Sequence, residues 1–117
     1  GLLNFTRSVA MELSEYGIRV NSLTPTATDR TEGLERAKRW GVDWPPPRLG
    51  ERSAGWVPNP SATVPLRRLP SPSHYAKAAA FLASEEAEMI TGMDLRVDAG
   101  AISKYWIWDP GTEVAQS

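Results

Sequence analysis

Residues 18–25 are Ile-Arg-Val-Asn-Ser-Leu-Thr-Pro, a short run of apolar and β-branched side chains that ends at a proline. Such a run is typical of a strand buried in an α/β sheet. Residues 1–16 repeat apolar side chains at spacings of three and four, contain no proline and precede Gly17, a residue that suits a helix C-terminus. The sequence therefore predicts a helix over 1–16 and a strand over 18–24. Because no N-cap residue precedes the helix, we expect the given sequence to start inside a helix and not at its first turn.

Two further elements are predicted later in the chain. A helix should run from Ser71 to about Ser84, because serine followed by proline is a good helix start signal. Residues 93–98 alternate apolar and polar side chains, as a strand with one solvated face does. We expect Asp94 and Arg96 to face solvent or a partner subunit. The order of helix, strand, long loop, helix and strand predicts an α/β fold, in which two strands are too few to cover both helices.

The long loop, residues 26–66, holds most of the ten prolines and three of the five tryptophans, Trp40, Trp44 and Trp56. Prolines forbid long regular elements, although 32–40 has a weak helical pattern. A connection of this length is a functional lid or a disordered linker, and the tryptophans argue against a plain solvated linker. They pack under the loop or form an apolar substrate pocket, and both interpretations stay open.

Composition excludes several classes of function. The 117 residues carry 13 basic and 14 acidic side chains with no block of one sign, so neither nucleic acid nor a membrane surface is implied as a partner. The absence of cysteine removes disulfides, thiolate catalysis and zinc–thiolate sites, and fits the cytoplasm, where we expect the protein. No apolar run could span a bilayer, and no signal-peptide pattern opens the chain. The single histidine, His74, makes no metal site alone.

Several segments, in their order and spacing, resemble the short-chain dehydrogenase/reductase family. Residues 1–13 with 16–21 are similar to the helix and strand that follow that family's active-site tyrosine and lysine. Residues 65–72 resemble the segment that enters its next helix, and 81–84 with 90–100 resemble its last helix and last strand. The resemblance implies the C-terminal part of a Rossmann-like doubly wound parallel sheet.

The resemblance also implies a domain organisation and an activity. Residues 1–117 would be part of a single NAD(P)-binding domain, with 26–66 as a substrate-lid insertion. The activity would be hydride transfer between a nicotinamide cofactor, NAD or NADP, and a small alcohol or carbonyl substrate. Family members are commonly tetrameric, and their interfaces use the helix matched by 1–16 and the strand matched by 93–98. A homo-oligomer is therefore expected.

The family's catalytic Tyr-x-x-x-Lys pair does not occur within the 117 residues, since neither Tyr16, Tyr75 nor Tyr105 has lysine four positions later. The family's lysine would fall about two residues before the position matched by Gly1, and its catalytic serine also lies upstream. The Gly-x-x-x-Gly-x-Gly turn for a pyrophosphate is absent as well. No residue is predicted to be catalytic, and we expect the isolated chain to lack dehydrogenase activity.

The resemblance places one wall of the cofactor site after the first strand. Where the family has Pro-Gly and a turn whose backbone pairs with the nicotinamide carboxamide, this chain has Pro25 and Thr26. A Cβ there narrows the approach of backbone to a ligand. The family often has threonine at the position of Arg30, and Arg30 or Thr31 could reach the carboxamide or a phosphate. The candidate cofactor-binding residues are Pro25, Thr26, Thr28, Arg30 and Thr31, and the alternative is an ordinary strand-ending loop.

Two interpretations of the whole chain remain open. It is either an incomplete sequence of a normal enzyme or a non-catalytic truncated module that associates with full-length relatives. In both cases the two helices should expose apolar faces that a larger sheet would cover, so the chain alone should associate or aggregate. The coding DNA just upstream separates these interpretations, because an in-frame Tyr-x-x-x-Lys there indicates an incomplete sequence of a normal enzyme.

Overall fold

The computed structural model describes residues 1–43, 60–104 and 108. There are three helices, α1 (Leu2–Leu13), α2 (Thr31–Trp40) and α3 (Pro72–Ala83), in this part of the chain. The two strands are β1 (Ser22–Pro25) and β2 (Asp94–Val97). Short 3-10 helices cover Ser14–Tyr16, Pro60–Thr63, Glu85–Ala87 and Ala101–Ser103. Two compact units form: the first is Gly1–Pro25 with Ser73–Val97, and the second is Thr26–Pro72 with Asp98–Ser117. The predicted α/β class is confirmed.

In the first unit, α1 presents a narrow buried face of small side chains. Thr6 and Ala10, four residues apart, are buried, while Phe5 is 64% exposed. No side chain caps its first turn. The helix ends three residues earlier than predicted because the last turn tightens into a 3-10 helix, and Gly17 (φ 71°) closes it by donating its N–H to Ser14 O at 3.0 Å. The predicted glycine C-cap is confirmed.

Strands β1 and β2 pair in parallel, with Ser22 opposite Asp94 and Pro25 opposite Val97. The predicted strand start at Ile18 and stop before Pro25 are both wrong by a few residues, since Pro25 is itself the last paired residue. Side chains replace the strand pairing ahead of Ser22. Asn21 donates from Nδ2 to Ile90 O (3.0 Å) and accepts the Met93 N–H at Oδ1 (3.1 Å). An asparagine side chain thus satisfies backbone groups that a longer ladder would have paired.

The polar face of this strand pair is organised around Asp94. Its Oδ1 accepts hydrogen bonds from the hydroxyls of Thr24 and Ser22, each at 2.7 Å. These two bonds, that of Thr24 first, lower the pKa of the Asp94 carboxyl, and the positive charge of Arg96 acts in the same direction. Arg96 is exposed, and Asp94 is partly exposed while its carboxylate is bound across the strand pair.

In the second unit, α2 ends where Gly41 adopts φ 65° and donates to the carbonyls of Ala37 and Lys38. Val42 N–H closes the same turn on Ala37 O at 2.9 Å. This left-handed cap is a standard way to satisfy the last carbonyls of a helix. The helix begins one residue before the weak pattern predicted from the sequence, and Ala37 is its buried residue.

Among the described residues the core consists of small side chains. The buried residues by accessible surface include Ala10, Ala37, Val64 and Ala87, and no large side chain of the described part is fully buried. Leu2 and Met11 of α1 are 72% and 77% exposed, and α3 has no buried residue at all. Exposed apolar side chains thus occur on both helices, and on α3 the large one is Phe81, at 39% exposed.

Candidate functional site

The segment that follows the carboxyl end of β1 holds the candidate cofactor residues. In open parallel sheets, ligands bind beyond the carboxyl ends of strands. Thr26 and Thr28 are half-buried here, whereas Pro25, Arg30 and Thr31 are exposed. The five residues therefore do not share one environment, and the two threonines of the turn are the more enclosed members.

Hydrogen bonds inside the segment shape it into a turn that leads into α2. The Thr28 hydroxyl donates to Thr26 O at 3.3 Å. Arg30 is the N-cap residue of α2 (φ −94°, ψ −4°) but makes no side-chain cap bond. Thr31 is the first helical residue, and its N–H donates to Asp29 Oδ1 at 2.8 Å. The backbone N–H of Thr31 is therefore already hydrogen-bonded within the protein.

Asp29 is a residue of this site that sequence reasoning missed. Its own N–H donates to Pro70 O at 2.8 Å, and its carboxylate receives the side-chain and backbone hydrogen bonds of Thr31. Those two bonds hold the pKa of Asp29 below its ordinary value; burial opposes them with a smaller effect, and the charge of Arg68 adds the smallest contribution in the lowering direction. The available signal was an aspartate just ahead of a helix, since aspartate side chains favour turns and helix starts.

The turn after β2 is built in a similar way. Asp98 accepts the Gly100 N–H at Oδ1 (3.0 Å) and the Ile102 N–H at Oδ2 (3.2 Å). Asp98 is thus a turn former, as its position beside Gly100 suggests, and no base is indicated. Ala99 and Gly100 both have positive φ, 54° and 86°.

One short segment contacts both of these turns. The Leu66 N–H donates to Ala99 O at 3.0 Å, and Pro70 O accepts the Asp29 N–H. Between them Arg67 adopts φ 64°, a conformation that costs a residue with a Cβ roughly 1–2 kcal/mol. Residues 66–70 therefore join the turn that follows β2 to the turn that follows β1.

Of the three predicted lid tryptophans, one can be placed. Trp40 is the last residue of α2 and is 69% exposed, with the Arg36 guanidinium carbon 5.9 Å from its ring centroid. It is therefore not a packed core residue. Trp44 and Trp56 lie outside the described residues.

Neither a metal centre nor a membrane span is found in the described ranges. Within 1–43, 60–104 and 108, no three histidine or acidic side chains are grouped so that they could hold a metal ion. His74 is half-buried in the first turn of α3. No helix in the same part of the chain has the length and apolar character needed to cross a bilayer.

Comparison with known proteins decides the family. The family described as enoyl-(acyl carrier protein) reductase matches residues 1–101. A solved oxidoreductase of the short-chain dehydrogenase/reductase family from Burkholderia thailandensis superposes with a TM-score of 0.64 and 27% identity, over 89% of this chain and 35% of that one. The chain belongs to the short-chain dehydrogenase/reductase family. The predicted family and its Rossmann-like parallel sheet are thereby confirmed.

Similar members of the family carry different names. A probable 2,4-dienoyl-CoA reductase of Bacillus subtilis is 37% identical over 86% of this chain and 35% of its own length. The 3-oxoacyl-acyl-carrier-protein reductase FabG of Escherichia coli is 36% identical over 86% of this chain and 34% of its own. L-fucose dehydrogenase of Bos taurus is 37% identical over 86% and 33%. The chain spans about a third of the length of these curated relatives.

Proposed function

We propose that this chain is part of an NAD(P)-dependent oxidoreductase that transfers hydride between a nicotinamide cofactor and an alcohol or carbonyl substrate. Family membership supports the reaction class, since the similar proteins are named reductases and dehydrogenases. In this proposal the chain supplies the nicotinamide-facing loop, the substrate lid over 26–66 and an oligomer surface. The nicotinamide ring, when bound, accepts or donates the hydride.

The observation that carries the proposal is the enclosed turn directly after β1. Thr26 and Thr28 are half-buried and are linked by the Thr28 hydroxyl, so the turn is already shaped without a ligand. A pre-formed turn can present backbone groups to a planar amide at little entropic cost. The fit favours a neutral group, because the Asp29 carboxylate already occupies the start of α2, where an anion would otherwise bind. Of the two ligands considered for this loop, the carboxamide is therefore the one proposed for the turn, and no phosphate is proposed at the start of α2.

The lid and the oligomer surface rest on exposed apolar area. Trp40 presents a large aromatic surface with few rotatable bonds, which suits a surface that is exposed when the lid is open and buried when it closes. The exposed apolar residues Leu2, Phe5 and Met11 leave apolar area on α1 that a second subunit would cover. A homotetramer using α1 and β2 is the arrangement proposed.

Two substitutions in the full-length protein test these roles separately. Thr28→Pro removes a backbone donor from the turn and is expected to weaken the affinity for NAD or NADP about tenfold, with KM for substrate nearly unchanged. Trp40→Ala should raise KM for substrate and leave cofactor affinity nearly unchanged. Glu35→Gln, on an exposed position of α2, is the control for both. Normal cofactor binding by Thr28→Pro would remove the assignment of the turn, and a Trp40→Ala protein that only melts earlier would remove the lid.

A second candidate function is a non-catalytic module that associates with full-length relatives. The exposed apolar residues of α1 favour it, because they provide a surface for association without any catalytic group. The coding DNA just upstream of Gly1 discriminates the two. An in-frame Tyr-x-x-x-Lys that ends about two codons before Gly1 supports the enzyme, and a start codon in its place supports the module.

A further inference from the structure

Asp29 connects three parts of the second unit through its backbone and its carboxylate. The backbone N–H is bound to Pro70 O at 2.8 Å, which fixes the turn to the segment that precedes α3. The carboxylate accepts the Thr31 N–H at 2.8 Å, which fixes the turn to the first residue of α2. Arg68 lies close enough for its charge to stabilise the ionised carboxylate. The side chain of Asp29 thus holds the start of α2, while its backbone N–H independently holds the turn to Pro70.

We propose that Asp29 is a positioning residue of the cofactor-facing turn, which both orders the turn and keeps anions away from the start of α2. This inference rests on the proposed function, because it takes the turn formed by Thr26 and Thr28 as the nicotinamide wall. Asp29 itself does not touch the cofactor in this proposal.

The two roles follow from the same hydrogen bonds. Without the carboxylate, the exposed Thr31 N–H exchanges a charge-assisted hydrogen bond for one to water. The turn between Thr26 and Thr31 would then lose its side-chain link to the start of α2. At the same time the start of α2 would regain its partial positive charge, with Arg30 next in the chain and the charge of Arg68 acting on the same position, and would attract phosphate. The ordering of the turn and the exclusion of anions can therefore be separated by substitutions of Asp29 that remove its charge alone or both its charge and its hydrogen-bond acceptor.

The experiment compares three variants of the full-length protein by titration of NAD and NADP, with intrinsic fluorescence as the readout. Asp29→Ala removes the acceptor and the charge, Asp29→Asn keeps an acceptor oxygen without the charge, and Asp43→Ala removes an exposed aspartate just beyond α2 as the matched control. Each titration is repeated with inorganic phosphate at constant ionic strength. We expect Asp29→Ala to bind cofactor about tenfold more weakly, Asp29→Asn to recover to within about threefold, and Asp43→Ala to bind as wild type.

Phosphate provides a readout that a merely structural role would not change. The wild-type protein and Asp43→Ala should bind cofactor equally well with or without phosphate, whereas Asp29→Ala should weaken further by competition. Cofactor affinity of Asp29→Ala equal to that of Asp43→Ala would overturn the inference. Equal losses in Asp29→Ala and Asp29→Asn with no phosphate response would also overturn it, because that pattern reflects general destabilisation.

The outcome for Thr28→Pro distinguishes the failure of this inference from the failure of the proposed function. If Thr28→Pro weakens cofactor binding while Asp29→Ala behaves as Asp43→Ala does, only the role of Asp29 is wrong. If Thr28→Pro binds cofactor normally, the turn is not the nicotinamide wall, and both proposals fall together.

Discussion

Replacing Gly100 by alanine should destabilise the protein through two effects that can be measured separately. A Cβ at this position would lie 3.0 Å from both Cβ and Cγ of Pro65, and the residue has φ +86°. Positive φ costs a residue with a Cβ about 1–2 kcal/mol, and overpacking against a rigid proline ring costs about 1–3 kcal/mol. Alanine also lowers the conformational entropy of the unfolded chain, which offsets about 0.4–1 kcal/mol of this cost. The expected net loss of unfolding free energy is about 1–4.6 kcal/mol.

Gly41→Ala is the matched control, because Gly41 has φ +65° but a Cβ added there would meet no atom within 4 Å. It should cost about 0–1.6 kcal/mol, the backbone effect alone. Urea unfolding of the full-length variants measures both values, and a double-mutant cycle of Gly100→Ala with Pro65→Gly should recover the contact contribution. The reasoning is refuted if Gly100→Ala costs no more than Gly41→Ala, or if the cycle shows no coupling to Pro65.

Three further predictions concern other parts of the chain. The lowered pKa of Asp94 means that its stabilising effect is complete above the ordinary pKa of aspartate and is lost as pH falls towards the lower folded-state value. Thr24→Val should therefore raise the pH of acid unfolding, measured by circular dichroism, and an unchanged acid midpoint contradicts this. Lys104 donates to Thr63 O at 2.8 Å and lies 5.7 Å from the centroid of the Trp108 ring. Lys104→Met should cost under about 1 kcal/mol because the lysine is exposed, yet it should speed amide exchange over 101–104; unchanged exchange would show that Lys104 does not hold this segment. The isolated chain should sediment as a dimer or larger species, and a monomer with a sharp thermal transition would argue against an exposed association surface.

The sequence predicts most elements of the fold because their signals are local. The apolar spacing of α1, the proline that opens α3 and the glycine at position 17 each act within one or two turns of chain. The limits of β1 cannot be predicted in this way because they depend on residues about seventy positions away. Asn21 and Thr91 substitute side-chain hydrogen bonds for strand pairing, and no local pattern reveals that exchange.

The site shows the same division between local and distant causes. That a turn follows β1 could be predicted from Pro25 and its neighbours, and the aspartate at position 29 carried a visible turn signal. Its partner Pro70 could not be predicted, because the contact requires the path of a segment forty residues later in the chain. The cross-strand role of Asp94 was hidden for a related reason: alternation predicts which side of a strand a residue occupies but not which hydroxyls it meets.

Hydrogen bonds hold the chain on both sides of residues 43–65, and this affects how the sequence of that stretch can change in evolution. On one side the chain leaves α2 through the left-handed cap at Gly41, and on the other it is fixed where Leu66 binds Ala99 and Pro70 binds Asp29. Insertions, deletions and substitutions between these anchors can accumulate without displacing the turn after β1, since the entropy of closing a loop rises only slowly with its length. Selection can therefore alter this stretch while the turn stays unchanged, so the same turn is compatible with stretches of different length and composition.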